Sequence, residues 1–366
     1  MTRHASKAAY LNEIRGLITK MHNASIGAAY RVKVITRFAA HSFIAVHNKT
    51  GLRLSYHWAA LVYVLLTYFS LVPISFAADD PRPLEVKEVA PGVFVHKGIN
   101  ALMLAENGGA IANVGFVVGA QSVAVIDTGG SRRQGEALLK SIEQHTDLPV
   151  RWVINTHVHP DHVFGNAAFL GRDVAFVGHV RLPDALQQRF EHYLAANRAS
   201  MTERLLAGTE LVLPTETVAD VRQIDLGGRI LTLRAWPVAH TDSDLTVFDE
   251  TTGTLFSGDL VFLEHLPSID GSLRGWQKAL DGLAAIPATR VVPGHGPIDS
   301  PWPAAIEPER RYFDALAKDL KTAIDAGIPL ATAVQTAGEG ERGDWLLFDQ
   351  FNMRNATAAY AELEWE

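Results

Sequence analysis

The segment Asn155–His162, which reads Asn-Thr-His-Val-His-Pro-Asp-His, constrains this chain more than any other feature. It directly follows the apolar run Trp152–Ile154, which predicts a buried strand that ends where the polar residues begin. Pro160 cannot continue a strand ladder and therefore turns the chain. A single histidine is usually a core or surface residue, but three histidines and an aspartate within six residues favour a metal site. Imidazole and carboxylate ligands together suit zinc, with manganese or iron as substitutes.

Four more polar residues stand where an apolar run meets a loop marked by Gly or Pro, the usual place for functional residues on a rigid scaffold. They are Asp127, His240, Asp259 and His295. Together with the His-x-His-x-Asp-His motif, they give an order of residues that resembles the metallo-β-lactamase superfamily. The resemblance spans about residues 86–295.

This resemblance implies a dinuclear centre with two zinc ions per chain, or iron or manganese in their place. The first ion would have three histidine ligands: His157, His159 and His240. The second ion would have one carboxylate and two histidine ligands: Asp161, His162 and His295. Asp259 would bridge the two ions.

Asp161 is the predicted catalytic residue, because the motif places it beside the bridging hydroxide, where it can orient the nucleophile and carry its proton. Three residues are expected to steady the ligands or their loops from outside: Asp127, Thr156 and Thr241. Three glycines flank ligands where the backbone must turn tightly: Gly258, Gly294 and Gly296.

The net charge of −7 is unevenly distributed along the chain. Residues 1–78 hold nine Lys/Arg and one acidic residue, which gives +8. The remainder holds 24 Lys/Arg and 39 Asp/Glu, which gives −15. A body this acidic would repel a phosphate backbone, so the sequence argues for a small-molecule substrate and against a nucleic-acid partner.

Residues 54–78 contain no Lys, Arg, Asp or Glu and follow a basic flank. This pattern predicts a signal peptide cleaved after Ala77 or Ala78, a transient membrane contact and a periplasmic protein. Pro73 and the Ser-x-Ala ending favour cleavage over the alternative, an uncleaved membrane anchor. Residues 1–53 form a basic extension too long for a normal leader, and we hypothesise that the true start lies between Val46 and Leu54.

The mature part, about 288 residues without cysteine, is large enough to bury a core without disulfides. Apolar runs separated by turn signals predict β-strands near Val86–Val89, Val93–His96, Val114–Val118 and Val123–Ile126. A second strand-rich half begins near Val221, and one of its strands, near Thr254–Phe256, leads to Asp259. Two such halves with helices outside indicate an α/β, four-layer αβ/βα sandwich, the fold of the family, over residues 79–300.

Helices are predicted from Ser131, as N-cap, to about His145, from about Asp184 to Ala207, and from about Ser272 to Ala285. Residues 301–366 are expected to form a C-terminal helical segment packed on the sandwich. Its predicted helices are Glu307–Ala326, Leu330–Thr336 and Asn355–Leu363. The walls of the substrate pocket are expected to come from the loops Leu260–Leu273 and Leu182–Leu206.

The resemblance implies an exported zinc-dependent hydrolase that directs a metal-bridging hydroxide at an ester, thioester or lactone-like substrate. A bridging Asp259 is typical of the glyoxalase II-like branch. The export segment and the Ala-Glu-Leu-Glu-Trp-Glu ending are similar to those of periplasmic zinc metallohydrolases found with quinoprotein oxidation systems, which implies a quinoprotein or cytochrome partner. No residues matching a glutathione site occur in the C-terminal segment.

Three other functions remain open. A β-lactamase would fit the periplasm, although Asp259 counts against it. A mononuclear iron persulfide dioxygenase would use His157, His159 or His240 with Asp259. The chain would otherwise be a non-catalytic accessory protein of a periplasmic redox system, which retention of every ligand argues against.

Overall fold

Two β-sheets packed face to face form the centre of the computed structural model, which describes residues 80–366. The predicted basic extension and the signal or anchor segment lie outside the described residues. Within residues 80–366, no helix has both the length and the apolar character needed to cross a membrane.

The first sheet has seven strands whose spatial order follows the chain. Its first four strands are antiparallel neighbours, and from the fourth strand onward all neighbours are parallel. The strands are β1 Lys87–Ala90, β2 Val93–His96, β3 Val114–Val118, β4 Val123–Ile126, β5 Val150–Ile154, β6 Ala175–His179 and β7 Glu216–Val218.

The second sheet has six strands in the order β13-β12-β11-β10-β9-β8. Only β11 and β12 are parallel, because the chain crosses through a helix between them, whereas the other neighbours are antiparallel. The strands are β8 Val221–Asp225, β9 Ile230–Ala235, β10 Leu245–Asp249, β11 Thr254–Phe262, β12 Arg290–His295 and β13 Ser300–Pro301.

Eight α-helices and three 3₁₀ turns lie within the described residues. The helices are α1 Arg132–His145, α2 Pro160–Val163, α3 Leu182–Ser200, α4 Glu203–Leu206, α5 Leu273–Ala284, α6 Glu307–Asp325, α7 Leu330–Ala333 and α8 Phe348–Leu363. The 3₁₀ turns are Asn166–Phe169, Ala304–Ile306 and Glu339–Asp344.

Three apolar layers hold the two sheets and the helices together. Between the sheets, the first contributes Val93, Val95 and Ile126, and the second contributes Leu233, Val247 and Phe256. Outside the first sheet, Leu138 and Ile142 of α1 pack on Phe116 and Val153. Outside the second sheet, α5, α6 and α8 contribute Trp276, Leu280, Phe313, Leu316 and Ala359. The predicted four-layer αβ/βα sandwich is therefore confirmed, and residues 301–366 pack within the same compact unit.

The N-cap predicted at Ser131 is present, since its hydroxyl accepts a hydrogen bond from Gln134 N at 3.2 Å. The helix predicted from Asp184 to Ala207 is wrong in extent, because the chain turns extended at Met201 and restarts at the N-cap Thr202. The predicted pocket-wall loop Leu182–Leu206 is accordingly mostly helical.

The strand predicted near Thr254–Phe256 is β11, which continues to Phe262 and therefore contains Asp259. The helix predicted from Asn355 begins earlier, at Phe348, after Leu347 adopts a left-handed conformation with φ 59°.

Candidate metal centre

The predicted ligands meet at one edge of the sandwich. In both sheets the relevant strands are parallel, β4 with β5 and β11 with β12, and the carboxyl ends of parallel strands place loop residues together. His157 to His162 follow β5, His295 ends β12, and Asp259 lies within β11. His240 comes from the connection between β9 and β10.

Three histidine nitrogens converge in the first group of ligands. Nδ1 of His159 lies 3.1 Å from Nε2 of His157 and 2.9 Å from Nε2 of His240. Oδ2 of Asp259 lies 3.4 Å from Nε2 of His240 and 3.7 Å from Nε2 of His157. Three of these residues are buried and His159 is half-buried.

The second group combines a carboxylate with two imidazoles. Oδ2 of Asp161 lies 3.3 Å from Nε2 of His295 and 3.5 Å from Nε2 of His162. Asp259 reaches this group as well, because its Oδ1 lies 3.1 Å from Nε2 of His162 and its Oδ2 lies 3.4 Å from Nε2 of His295. The Asp259 carboxylate therefore contacts both groups.

These spacings fit metal coordination. A tetrahedral zinc ion with ligands at roughly 2.0–2.1 Å places its ligand atoms roughly 3.3–3.4 Å apart. Nε2 of His162 and Oδ1 of Asp259 are both buried and form no hydrogen bond within the described chain. Buried polar atoms are rarely left in this state, so a cation bound between the two groups accounts for both.

The outer nitrogens of His162 and His157 are held through Asp127. Nδ1 of His162 donates to Oδ2 of Asp127 at 2.7 Å. The Thr156 hydroxyl donates to the same oxygen at 2.8 Å, so its own oxygen is left to accept from Nδ1 of His157, 3.0 Å away. With Nδ1 as the donor, each ring turns its Nε2 into the centre, where that nitrogen would bind a cation in place of a proton.

The other three ligand rings also donate their outer hydrogens to oxygen atoms that can only accept. Each of these contacts makes the outer nitrogen the donor and turns the inner nitrogen toward the centre, where it would bind a cation in place of a proton. The contacts are His240 Nδ1 to Ser268 O at 2.7 Å, His295 Nδ1 to Ile111 O at 3.1 Å, and His159 Nε2 to Asp270 Oδ2 at 3.2 Å.

The histidine pKa values shift in opposite directions in the two groups of ligands. Burial and nearby His159 lower the pKa of His240 to about 3, and burial and nearby His162 lower the pKa of His157, so these two rings offer neutral nitrogens at pH 7. Although burial favours the neutral acid, the charges of His162 and His295 lower the pKa of Asp161 to about 2. Although burial opposes it, the charges of Asp259 and Asp161 raise the pKa of His295 to about 9. The carboxylates of the second group thus favour positive charge on its imidazoles, a charge that a bound cation would supply in place of their protons.

Two glycines make room for Asp259 and the ligand loop. Gly258 has φ 52°, and a Cβ there would meet Cβ of Thr156 at 2.5 Å. Gly294 is not left-handed, contrary to the predicted tight turn. It is needed because a Cβ there would lie 1.8 Å from Oδ1 of Asp259. Gly296, with φ 107°, does have the left-handed conformation expected of a glycine turn.

Of the residues expected to support the ligands, Asp127 and Thr156 contact ligand rings. The Thr241 hydroxyl instead donates to Oδ1 of Asp244 at 2.6 Å, so it shapes the loop after His240 without touching a ring. Asp244 is buried, and this burial raises its pKa to about 8 despite the hydrogen bonds from Thr241.

Sequence reasoning missed Asp270 and the carbonyls of Ser268 and Ile111 as partners of ligand rings. Asp270 and Ser268 belong to the segment predicted as a pocket wall. Every residue has a backbone carbonyl, so the residue type cannot indicate which carbonyl accepts from a histidine. An Asp before a Gly-Ser pair resembles an ordinary turn residue, so only the fold reveals its contact with His159.

A four-layer sandwich that gathers five histidines and two aspartates at one sheet edge defines a class of metal-dependent hydrolases. The chain belongs to the metallo-β-lactamase superfamily, whose family model matches residues 107–295. The predicted family is therefore confirmed, and the matched region ends at the last candidate ligand, His295.

Two curated relatives match parts of the chain. The linear primary-alkylsulfatase of a Pseudomonas species is 26% identical over 153 residues, which cover 40% of this chain and 28% of the relative. A β-lactamase-like protein 2 homolog of Caenorhabditis elegans is 24% identical over 209 residues, which cover 57% of this chain and 59% of the relative. The chain thus spans less than two thirds of the length of either.

Solved structures share the fold. A metallo-β-lactamase from Pontibacter korlensis aligns with a TM-score of 0.52 and 22% identity, covering 63% of this chain and 99% of its own. TMB-1 aligns with a TM-score of 0.50 and 19% identity, covering 63% and 97%. The DIM-1 metallo-β-lactamase aligns with a TM-score of 0.50 and 16% identity, covering 64% and 99%. At these identities the similarity concerns the fold alone.

Proposed function

We propose that this chain is a dinuclear zinc hydrolase that cleaves an ester, thioester or lactone-like substrate. The observation that carries this proposal is the position of Asp259. Its carboxylate lies within 3.1–3.7 Å of four ligand histidines drawn from both groups. A carboxylate shared in this way suits two ions better than one.

A pair of divalent cations bound at such a centre lowers the pKa of water toward roughly 7 and polarises the oxygen of an acyl group. Asp161 would orient the attacking water and carry its proton, because its carboxylate lies among the second group of ligands and its low pKa keeps it ionised, and so an acceptor of hydrogen bonds, at neutral pH. Asp259 fixes the spacing of the two groups. Asp127 holds the His162 ring and the Thr156 hydroxyl, and so keeps the ligand loop in register.

The ester and thioester classes are favoured over β-lactams by the bridging position of Asp259, which is typical of the glyoxalase II-like branch. The similarity to structures of β-lactamases concerns the fold alone and does not decide the substrate. The alkylsulfatase relative adds sulfate esters to the substrates worth testing.

Metal analysis tests the proposal directly. Wild-type protein is expected to bind two zinc ions per chain, whereas Asp259→Asn loses at least one and nearly all turnover. Asp281→Asn is the matched control, because that carboxylate is exposed and its partner within residues 80–366 is Arg310. Full metal content and activity in Asp259→Asn would overturn the dinuclear assignment.

A substrate panel tests the reaction. We expect zinc-loaded protein to hydrolyse a thioester, a simple ester or a lactone faster than a β-lactam or an alkyl sulfate. A preference for the β-lactam or the sulfate ester would replace the proposed substrate class. One iron per chain with persulfide oxidation would indicate a dioxygenase, and full metal loading without turnover of any substrate would indicate an accessory role.

We also propose that the protein is exported to the periplasm and acts beside a quinoprotein or cytochrome system. The uncharged segment over residues 54–78 supports export. Amino-terminal sequencing of the protein from its native host tests export and the start site together. A mature chain that retains Thr2 to Lys49 would rule out a true start between Val46 and Leu54.

A further inference from the structure

We propose that the last helix, α8, is part of the metal centre, because Arg354 and Asn355 position two ligands of the first group. They act through residues 263–272, which connect β11 to α5 and which we term the support loop. This inference rests on the proposed function, since it assumes that the first group binds a metal ion. Both residues lie beyond the region that the family model matches.

Arg354 acts through Asp270. Its Nη2 donates to Oδ1 of Asp270 at 2.8 Å, and Nε2 of His159 lies 3.2 Å from the other oxygen, Oδ2. The two oxygens of one carboxylate thus join helix α8 to a ligand ring. Because the guanidinium occupies Oδ1, the carboxylate cannot rotate away from His159 without losing a charge-assisted hydrogen bond.

Asn355 holds the backbone on both sides of Ser268, whose carbonyl accepts from His240. Its Nδ2 donates to Pro267 O at 2.6 Å, and its Oδ1 accepts from Ile269 N at 2.9 Å. Ser268 O in turn lies 2.7 Å from Nδ1 of His240. Asn355 is fully buried, so these bonds do not compete with water.

Further contacts fix the ends of the support loop to the C-terminal segment. At its start, Leu346 N donates to Glu264 O at 2.7 Å and Leu266 N donates to Leu346 O at 3.0 Å. At its end, Glu362 of α8 accepts from the Ser272 hydroxyl at 2.6 Å and from Leu273 N at 2.8 Å. Helix α8 and the residues that directly precede this helix therefore determine the conformation of the support loop.

Two of the three histidines of the first group thus depend on α8 for the orientation of their outer hydrogen bonds. Within the described residues, the outer hydrogen bonds of the second group do not involve α8, because His162 donates to Asp127 and His295 donates to Ile111 O. Helix α8 reaches this group through ring contacts, from Phe351 to His265 and from His265 to His295. Loss of the hydrogen bonds made by Arg354 and Asn355 should therefore weaken the first ion and spare the second. Arg354 is accordingly a positioning residue, since it acts on the ligand through Asp270.

The test measures two properties of the wild type and of each variant. One is the zinc affinity, determined by competition with a chromophoric chelator, and the other is the visible spectrum of the cobalt-substituted protein. Asp270→Asn is expected to weaken one of the two ions by roughly 10- to 100-fold, the usual effect of removing the outer partner of a ligand histidine. Arg354→Gln is expected to weaken the same ion by less and to shift the same cobalt bands. Arg354→Lys, which keeps the cation, should recover part of the loss.

A double variant tests whether Arg354 acts through Asp270. Asp270→Asn combined with Arg354→Gln should bind zinc no more weakly than Asp270→Asn alone, since coupled residues are not additive. Arg274→Gln is the matched control, because it breaks another arginine–carboxylate pair, between Arg274 of α5 and Glu366 of the C-terminal segment, and leaves Asp270 untouched. Its two affinities and its cobalt spectrum should equal those of the wild type.

Asn355→Asp provides a second probe, since it keeps the acceptor for Ile269 N and removes the donor to Pro267 O. If wild-type protein binds two ions and both Arg354→Gln and Asn355→Asp match Arg274→Gln in affinity and spectrum, the inference is wrong and the proposed function stands. Additive losses in the double variant would also overturn it. If wild-type protein binds no ion in the first group, both proposals fail.

Discussion

Nδ1 of His162 donates a hydrogen bond to Oδ2 of Asp127 across 2.7 Å, and both residues are buried. Asp127 directly follows β4 in a left-handed conformation with φ 56°, which aspartate tolerates better than most residues. Its other oxygen accepts from Thr156 N at 2.8 Å, so one side chain fixes both a ligand ring and the backbone of the ligand loop.

Asp127→Asn is expected to lower the affinity of the second ion by roughly 10- to 100-fold, the range for removal of such an outer partner. An amide has one oxygen, so it cannot accept from His162 and from Thr156 N in the way that the carboxylate does. Chelator competition measures the two affinities separately. Asp281→Asn, at an exposed position, should leave both affinities unchanged, and an unchanged second ion in Asp127→Asn would show that this contact does not govern metal binding.

Gly294→Ala is expected to displace Asp259, because the new Cβ would lie 1.8 Å from its Oδ1. The variant should bind fewer than two ions and lose about 1–3 kcal/mol of stability through overpacking. Elemental analysis and chemical denaturation measure the two effects.

Gly343→Ala is the control for this variant, since a Cβ at Gly343 meets nothing within 4 Å. It should retain both ions and the wild-type midpoint of unfolding. Two bound ions in Gly294→Ala would mean that the Asp259 carboxylate can move without loss of the centre.

The candidate ligands and the fold were predictable because the motif after β5 is dense and two of the three later ligands, Asp259 and His295, stand beside a glycine. The alternation and length of the apolar runs likewise predicted the two sheets. The helix break at Met201 was not predictable, because residues 184–207 carry no internal glycine or proline to mark it.

Contacts between distant segments could not be predicted from the sequence. Asp270 contacts His159, which lies 111 residues away along the chain, and Arg354, which lies 84 residues away. An exposed arginine in a helix and an aspartate in a turn each have an ordinary explanation when considered alone. Their role depends on the path of α8, which tertiary packing decides.

Glu309→Gln is expected to flatten the pH dependence of stability. Glu309 is fully buried on α6, and among the described residues one of its carboxylate oxygens accepts from Phe262 N at 3.2 Å while the other has no hydrogen-bond partner. Burial raises its pKa well above 4.5. The folded state therefore keeps a proton that the unfolded state loses, so stability falls as the pH rises above about 4.5, by at most about 1.4 kcal/mol per pH unit.

Glutamine has no proton to lose, so Glu309→Gln should be more stable than the wild type at pH 8 and should differ little from it near pH 4. Urea denaturation of the zinc-loaded proteins from pH 4 to 8 measures the difference. Glu210→Gln, at an exposed position, should follow the wild-type curve. Parallel curves for Glu309→Gln and the wild type would show that Glu309 ionises alike in both states.

Asp249→Asn is expected to lower stability without affecting the metal centre. Arg229 donates to both oxygens of Asp249, at 3.1 and 2.7 Å, and also to two carbonyls of the first sheet, Pro91 O between β1 and β2 and Val118 O at the end of β3. Asp249 is fully buried and the Arg229 side chain is 11% exposed. Removal of one partner of such a pair leaves a charge uncompensated and typically costs about 3–5 kcal/mol.

Because water reaches Arg229 in part, we expect a loss near the lower end of that range, about 3 kcal/mol. Neither residue contacts a metal ligand within the part of the chain that is described, so Asp249→Asn should retain two zinc ions and wild-type affinity. The exposed pair Asp281 and Arg310 supplies the control, since Asp281→Asn should cost less than about 1 kcal/mol. Equal losses in the two variants would mean that the link between the sheets contributes no more than a surface ion pair.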